Sequence, residues 1–293
     1  MSAIDLHIHS NISGDGELSP REILSLCQKK GIRLAAVTDH NSVRGIKEAL
    51  DCADGVKVAA GIELDCSYQG RNFHLLGYGI DYRRPEFSEI EQDIFRQERE
   101  AAEKKIRLFE RFSGIPVDEK EVFALSKNGV VSGEMIAETV LAKEGADRYS
   151  ILRPYLPGGE KSDMPHVRFY WDFFAEGKAA YVPIHYLSLP DAAGLIHSAG
   201  GITVLAHPGQ NLSVGEPLFF SLLSEKIDGI EAFSSYHTEE VARYYLDAAL
   251  QRRLFVTCGS DFHGKHKPDI ALGAHHSLWS DAELMSNISG WLL

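Results

Sequence analysis

Six histidines stand where short apolar runs end. His7 and His9 lie two apart in DLHIH, His40 closes LAAVTDH, and His74 lies in HLLGY. His207 closes ITVLAHP, and Asp261 and His263 close LFVTCGSDFH. Glu63 ends VKVAAGIE, and Asp15 lies in the turn Ser13-Gly14-Asp15-Gly16, soon after the paired histidines. A strand alternates faces with a period of two, so His7 and His9 share a face. Taken singly, each residue has an ordinary explanation. A strand-end histidine is usually a satisfied core or surface group, Asp39 could cap a helix, and Asp15 could be turn chemistry. Gathered on one rim, however, these imidazoles and carboxylates would be buried polar groups at high cost unless something paired them. Metal ions do that. Nitrogen and oxygen ligands without thiolate suit Mn, Fe or Zn, and nine ligands exceed what one ion can use, so two or three divalent ions are expected. Two ions about 3.5–4 Å apart activate a shared water and clamp the attacking and leaving oxygens of an in-line displacement. Histidine ligands must be neutral, so activity should fall toward acid pH.

A parallel barrel delivers separate strand ends to one place, because all C-terminal strand ends meet on one face. The chain has the rhythm for it. Apolar runs at 4–8, 34–38, 56–63 and 73–78 alternate with helical stretches at 19–31 and 42–52. The rhythm resumes with runs at 181–184, 202–206, 229–233 and 254–258 and helices at 190–199, 216–226 and 238–252. Such βα alternation predicts parallel strands with crossover helices. Between them, residues 86–112 are charged with helical spacing of Ile90, Ile94, Ile106 and Phe109, and further helical segments follow at 119–126, 133–143 and 166–174. The expected organisation is a barrel from 1–84 and 181–293, with 85–180 as a helical insertion covering the barrel mouth.

The ordered set DLHIHS, SGDG, VTDHN, GIE, HLLGYGI, AGGITVLAHP and GSDFHG resembles the PHP (polymerase and histidinol phosphatase) family from residue 5 to 264. The resemblance implies an α/β fold, a distorted (β/α)7 barrel with an inserted helical subdomain, and a two- or three-metal site that hydrolyses phosphate esters. Carried over by motif, His7, His9, Glu63 and Asp261 would hold one ion. Glu63, His74 and His207 would hold the second, with Glu63 bridging and the activated water near it, and Asp15, His40 and His263 the third. Asp5 and Asp39 would orient ligands. Within the family the chain looks most like the small-nucleotide branch, which acts on nucleoside monophosphates or 3′,5′-bisphosphates. Those relatives often carry a Thr-Arg-Pro-His-like motif. Here Val131-Ser132-Gly133-Glu134-Met135 has neither Arg nor His, whereas Met164-Pro165-His166-Val167-Arg168 has both. His166 and Arg168, with His237 after the run at 229–233, are the expected substrate contacts.

Composition narrows the partners. Thirty Lys and Arg against 42 Asp and Glu give a net charge of −12. That balance argues against gripping long double-stranded nucleic acid, which needs clustered basic residues, while bound metal ions would still admit a small phosphorylated substrate. No leader pattern opens the chain and no run is long enough to span a membrane, so a cytoplasmic protein is expected. Cys27, Cys52, Cys66 and Cys258 form no CxxC pair and read as free thiols. The leading expectation is hydrolysis of a small-nucleotide phosphate monoester. Histidinol-phosphate phosphatase is the alternative of the same class, and a metal-dependent amidohydrolase or deacetylase that of another.

Overall fold

The computed structural model describes residues 2–126 and 129–291. Among the described residues eight strands form one sheet: β1 (Ile4–Ile8), β2 (Leu34–Val37), β3 (Lys57–Tyr68), β4 (Arg71–Tyr78), β5 (Leu187–Ser188), β6 (Ile202–Leu205), β7 (Gly229–Ser234) and β8 (Phe255–Gly259). Their order is β1-β2-β3-β4-β6-β7-β8, with β5 paired to β3 off this path. β8 returns to β1. Beyond the two strands the Asp261 N–H donates to the His7 carbonyl at 2.8 Å and the His9 N–H to Phe262 at 3.0 Å, and a parallel bridge joins Ile8 to Phe262. The result is a nearly closed, distorted barrel of seven strands, as the βα rhythm anticipates.

Two strands depart from that rhythm. β4 runs antiparallel to both β3 and β6. The reason is local: Gln69 and Gly70 both take positive φ, 49° and 78°, the requirement of a two-residue hairpin turn. The hairpin also carries β3 five residues past the expected end at Glu63. The run at 181–184 forms no strand, since Pro183 has no N–H to give a ladder, and the sheet takes up Leu187–Ser188 instead.

By their contacts the residues divide into two compact units, Met1–Glu91 with Tyr186–Leu293, and Gln92–His185. The first division falls inside the helix Pro85–Ser113, whose opening turn packs Phe87 into the barrel core. That core lies between the sheet and flanking helices: Ile4 and Leu6 of β1 join Ile62, Leu64, Leu75, Val204, Ile230 and Val256. The helix Pro20–Lys30 has a Ser19–Glu22 capping box and a left-handed Gly31 (φ 77°) at its end, the signals that mark it in sequence. The second unit has its own core, in which Phe109 meets Phe169, Phe173 and Phe174 and is joined by Ile106, Ile136 and Val140. Among the described residues no helix is long and apolar enough to cross a membrane. Cys27, Cys66 and Cys258 are buried and all four cysteines are free.

Candidate metal centre

β1 sends Ile4, Leu6 and Ile8 to the apolar layer, which leaves Asp5, His7 and His9 on the opposite, interior face. His40 follows β2 and bridges to Glu63 of β3. His74 comes from β4, His207 follows β6, and Asp261 and His263 follow β8. Eight of the nine expected ligands fall into overlapping groups. His7, His9, Glu63 and Asp261 form one; His9, Asp15, His40 and His263 another; His40, Glu63 and His74 a third. His207 was expected with Glu63 and His74, and its Nε2 lies 3.2 Å from Glu63 Oε1.

Distances within the first group test whether an ion fits. His7 Nε2 and His9 Nε2 are 3.1 Å apart. Glu63 Oε2 lies 3.1 and 3.0 Å from these nitrogens, and Asp261 Oδ1 lies 3.4 and 3.0 Å from them. Ligands about 2.1 Å from a common ion are roughly 3.0 Å apart at right angles and roughly 3.4 Å apart at tetrahedral corners. The set has those edges. The wider cluster also has unmet demand: Glu63 Oε2, Asp15 Oδ1, His40 Nδ1, His207 Nδ1 and His263 Nε2 are buried without a hydrogen-bond partner among the described residues. The donor set fits divalent ions.

The remote ring nitrogens fix the tautomers. His7 Nδ1 donates to Glu231 Oε1 at 3.0 Å, and the second Glu231 oxygen accepts the His207 N–H at 2.7 Å. His9 Nδ1 donates to Ser13 Oγ at 3.2 Å. Ser13 Oγ also accepts the His40 N–H at 2.9 Å and donates to Asp39 at 3.0 Å, so one hydroxyl ties three groups together. His263 Nδ1 donates to the Asp261 carbonyl at 2.8 Å. Each of these rings therefore presents an Nε2 lone pair inward, as metal-binding histidines do. Asp39 reaches His9 and His40 through the Ser13 hydroxyl. Asp5 accepts from the His7, Ser260 and Gly273 N–H groups and the Ser260 hydroxyl.

Packing and charge sharpen the arrangement. Gly259 lies where any side chain would strike His7 Cβ and come within 2.6 Å of Glu231 Oε1. His207 and Asp261 both take positive φ, 22° and 56°, backbone that is sparsely populated outside glycine and clusters at functional sites. Burial alone would lower His7 and raise Glu63, yet their mutual attraction wins. Glu63, Glu231 and Asp261 hold His7 well above the usual imidazole range, and His7, His74 and His40 hold Glu63 well below the carboxylate range. For His40, burial is outweighed by Glu63, Asp65 and Asp15, which push it up to about 10. His263 goes the other way, lowered to about 4 by burial, despite Asp15. Protons and cations thus compete for one negative pocket.

Four participants escaped the sequence reading: Glu231, Asp65, Tyr236 and Lys267. Glu231 is a fully buried carboxylate inside an apolar strand, and that oddity was its available signal. Asp65 shares a face with Glu63 at strand spacing and lies 3.1 Å from His74 Nε2. Tyr236 and Lys267 both reach Asp261 Oδ2. The structure gives His237 a different task from the expected one: its Nδ1 donates to the Ala232 carbonyl at 2.9 Å and its Nε2 accepts the Gly209 N–H at 3.0 Å. Both ring nitrogens are engaged by the backbone. His166 and Arg168 lie on the helix Pro165–Phe173 of the second unit, where the Arg168 guanidinium is paired with Asp163.

A family profile described as PHP domain matches residues 5–141. A 3′,5′-nucleoside bisphosphate phosphatase of Chromobacterium violaceum is 30% identical over 268 residues, covering 90% of this chain and 88% of that one. A 5′-3′ exoribonuclease of Haemophilus influenzae is 26% identical over 264 residues, covering 88% and 89%. A solved structure described as an amidohydrolase from Chromobacterium violaceum, with bound sulfate and no metal, superposes with a TM-score of 0.78 at 26% identity, covering 98% and 97%. With the ligand groups in place and a relative of this identity along nearly the whole chain, the protein belongs to the PHP family of metal-dependent phosphoesterases.

Proposed function

We propose that the chain hydrolyses a phosphate monoester of a small nucleotide, of the AMP or 3′,5′-bisphosphate type. The observation that carries this reading is that two ligand groups share Glu63: His7, His9, Glu63 and Asp261 on one side, His40, Glu63 and His74 on the other. Glu63 Oε2 faces His7 and His9 and Oε1 faces His74 and His207, so one carboxylate would serve two cation positions. Asp15, with His40 and His263, would hold a third. Mn, Fe and Zn all suit this donor set. Bound there, such ions supply Lewis-acid charge to phosphoryl oxygens and lower the pKa of water.

The protein's own residues do the rest. Glu231, Ser13 and the Asp261 carbonyl hold three imidazoles in the tautomer that keeps Nε2 open. The buried walls exclude bulk solvent, which strengthens each charge interaction. Cations there offset the chain's −12 charge locally, so an anionic substrate can approach. The nucleotide class rests on the 30% identical bisphosphate phosphatase. The exoribonuclease relative favours a second reading, removal of nucleotides from a short 5′-phosphorylated RNA.

Product release from a substrate panel tests the proposal. With Mn²⁺ added, AMP and an adenosine 3′,5′-bisphosphate should turn over faster than histidinol phosphate, a short 5′-phosphorylated RNA or an N-acetylated amine. Preference for the RNA would replace the monoester reading by the exonuclease one. Turnover of the amide alone would overturn phosphoesterase action.

A further inference from the structure

Asp261 uses its two carboxylate oxygens differently. Oδ1 meets His9 Nε2 at 3.0 Å and His7 Nε2 at 3.4 Å. Oδ2 accepts the Tyr236 hydroxyl at 2.5 Å and the Lys267 ammonium at 2.6 Å. Lys267 also donates to the Tyr236 oxygen at 2.7 Å, so the three groups close a triangle. The Asp261 backbone is held separately, by its N–H to His7 and its carbonyl to His263. Tyr236 and Lys267 therefore act on the carboxylate rather than on the chain. A carboxylate with both oxygens free can chelate a cation or bind it through one oxygen, and here one oxygen is already engaged twice.

We propose that Tyr236 and Lys267 are a positioning pair that withholds Oδ2, so that Asp261 meets the cation held by His7, His9 and Glu63 through Oδ1 alone. The inference rests on the metal-dependent reading above. Tyr236→Phe removes one donor without changing charge, so a change in cation affinity reports geometry. Lys267→Met also removes a charge that repels the cation, so it is read best by coordination rather than affinity.

The test loads the metal-free full chain with one equivalent of Co²⁺ and records its d–d absorption, with affinity from chelator competition. Removing a group that orients a ligand typically costs about 10–100-fold in metal affinity. Tyr236→Phe should bind cobalt about tenfold more weakly, and Lys267→Met should show the weaker, shifted bands of a higher coordination number. Lys267→Arg, which can still donate to Oδ2, should keep the wild-type spectrum. Thermal unfolding of each metal-free variant separates these effects from misfolding; if Lys267→Met does not fold, Tyr236→Phe and Lys267→Arg decide. Wild-type spectra and affinities in Tyr236→Phe and Lys267→Met would overturn the positioning role. Failure of the unaltered chain to bind cobalt would instead overturn the metal reading beneath it.

Discussion

Replacing Glu231 by Gln changes one buried oxygen to an NH2 group and should weaken the centre without touching a ligand. Glu231 is fully buried in β7, and both its oxygens accept: Oε1 from His7 Nδ1, Oε2 from the His207 N–H. A glutamine has only one accepting end. Whichever way the amide is turned, one N–H meets another N–H. The lost contact is charge-assisted, worth about 1.5–3 kcal/mol, and at about 1.4 kcal/mol per tenfold that is a factor of roughly 10–150. The effect should appear as metal affinity, because His7 loses the anchor that fixes its tautomer, or His207 loses the one that places its backbone. Competition with a chromophoric chelator, titrating Zn²⁺ or Mn²⁺ into metal-free protein, measures it, with the metal-free Tm as a control for folding. Affinity within twofold of wild type would refute the reasoning that Glu231 orients the inner ligands.

Two further outcomes follow from the same geometry. Gly259→Ala places a Cβ against His7 and Glu231; overpacking of this kind costs about 1–3 kcal/mol, so Tm should fall and cation affinity with it, whereas wild-type behaviour on both measures would show the approach to be slack. Metal binding should release protons near neutral pH, because carboxylates hold His7 and His9 above the ordinary imidazole range and push His40 up to about 10, and ligating imidazoles must be neutral. Calorimetric titration in buffers of different ionisation enthalpy counts those protons, and a heat independent of buffer would contradict it.

Most of the candidate ligand set was legible in sequence because its members stand at or beside apolar runs, and the strand period placed His7 and His9 together without reference to anything distant; Asp15 lies in a turn instead. The capped helix at residues 20–30 was legible for the same reason, its Ser19, Pro20 and Gly31 being local signals. What failed to show was either a turn detail or a long-range partnership. Gln69-Gly70 marked a turn, but nothing in the βα rhythm said that β4 would run back along β3 as a hairpin. Glu231 lies 224 residues from the His7 ring it orients, and Lys267 and Tyr236 are 31 apart. Closure of the barrel at β8 and β1 brings the first pair together, and the pairing of β7 with β8 the second. His237 shows what spacing leaves out. Its place after β7 mimics the ligands, yet the backbone of Ala232 and Gly209 claims both nitrogens, which spacing cannot reveal.

The metal content of the chain tests the central claim of a carboxylate-bridged, multinuclear centre most directly. Elemental analysis of protein purified without chelators, repeated after stripping and reloading with Mn²⁺ or Zn²⁺, should give two or three ions per chain. Eight ligands in overlapping groups joined through Glu63, His9 and His40, with His207 beside Glu63, predict that number. One ion or fewer, unchanged by added metal, would contradict it.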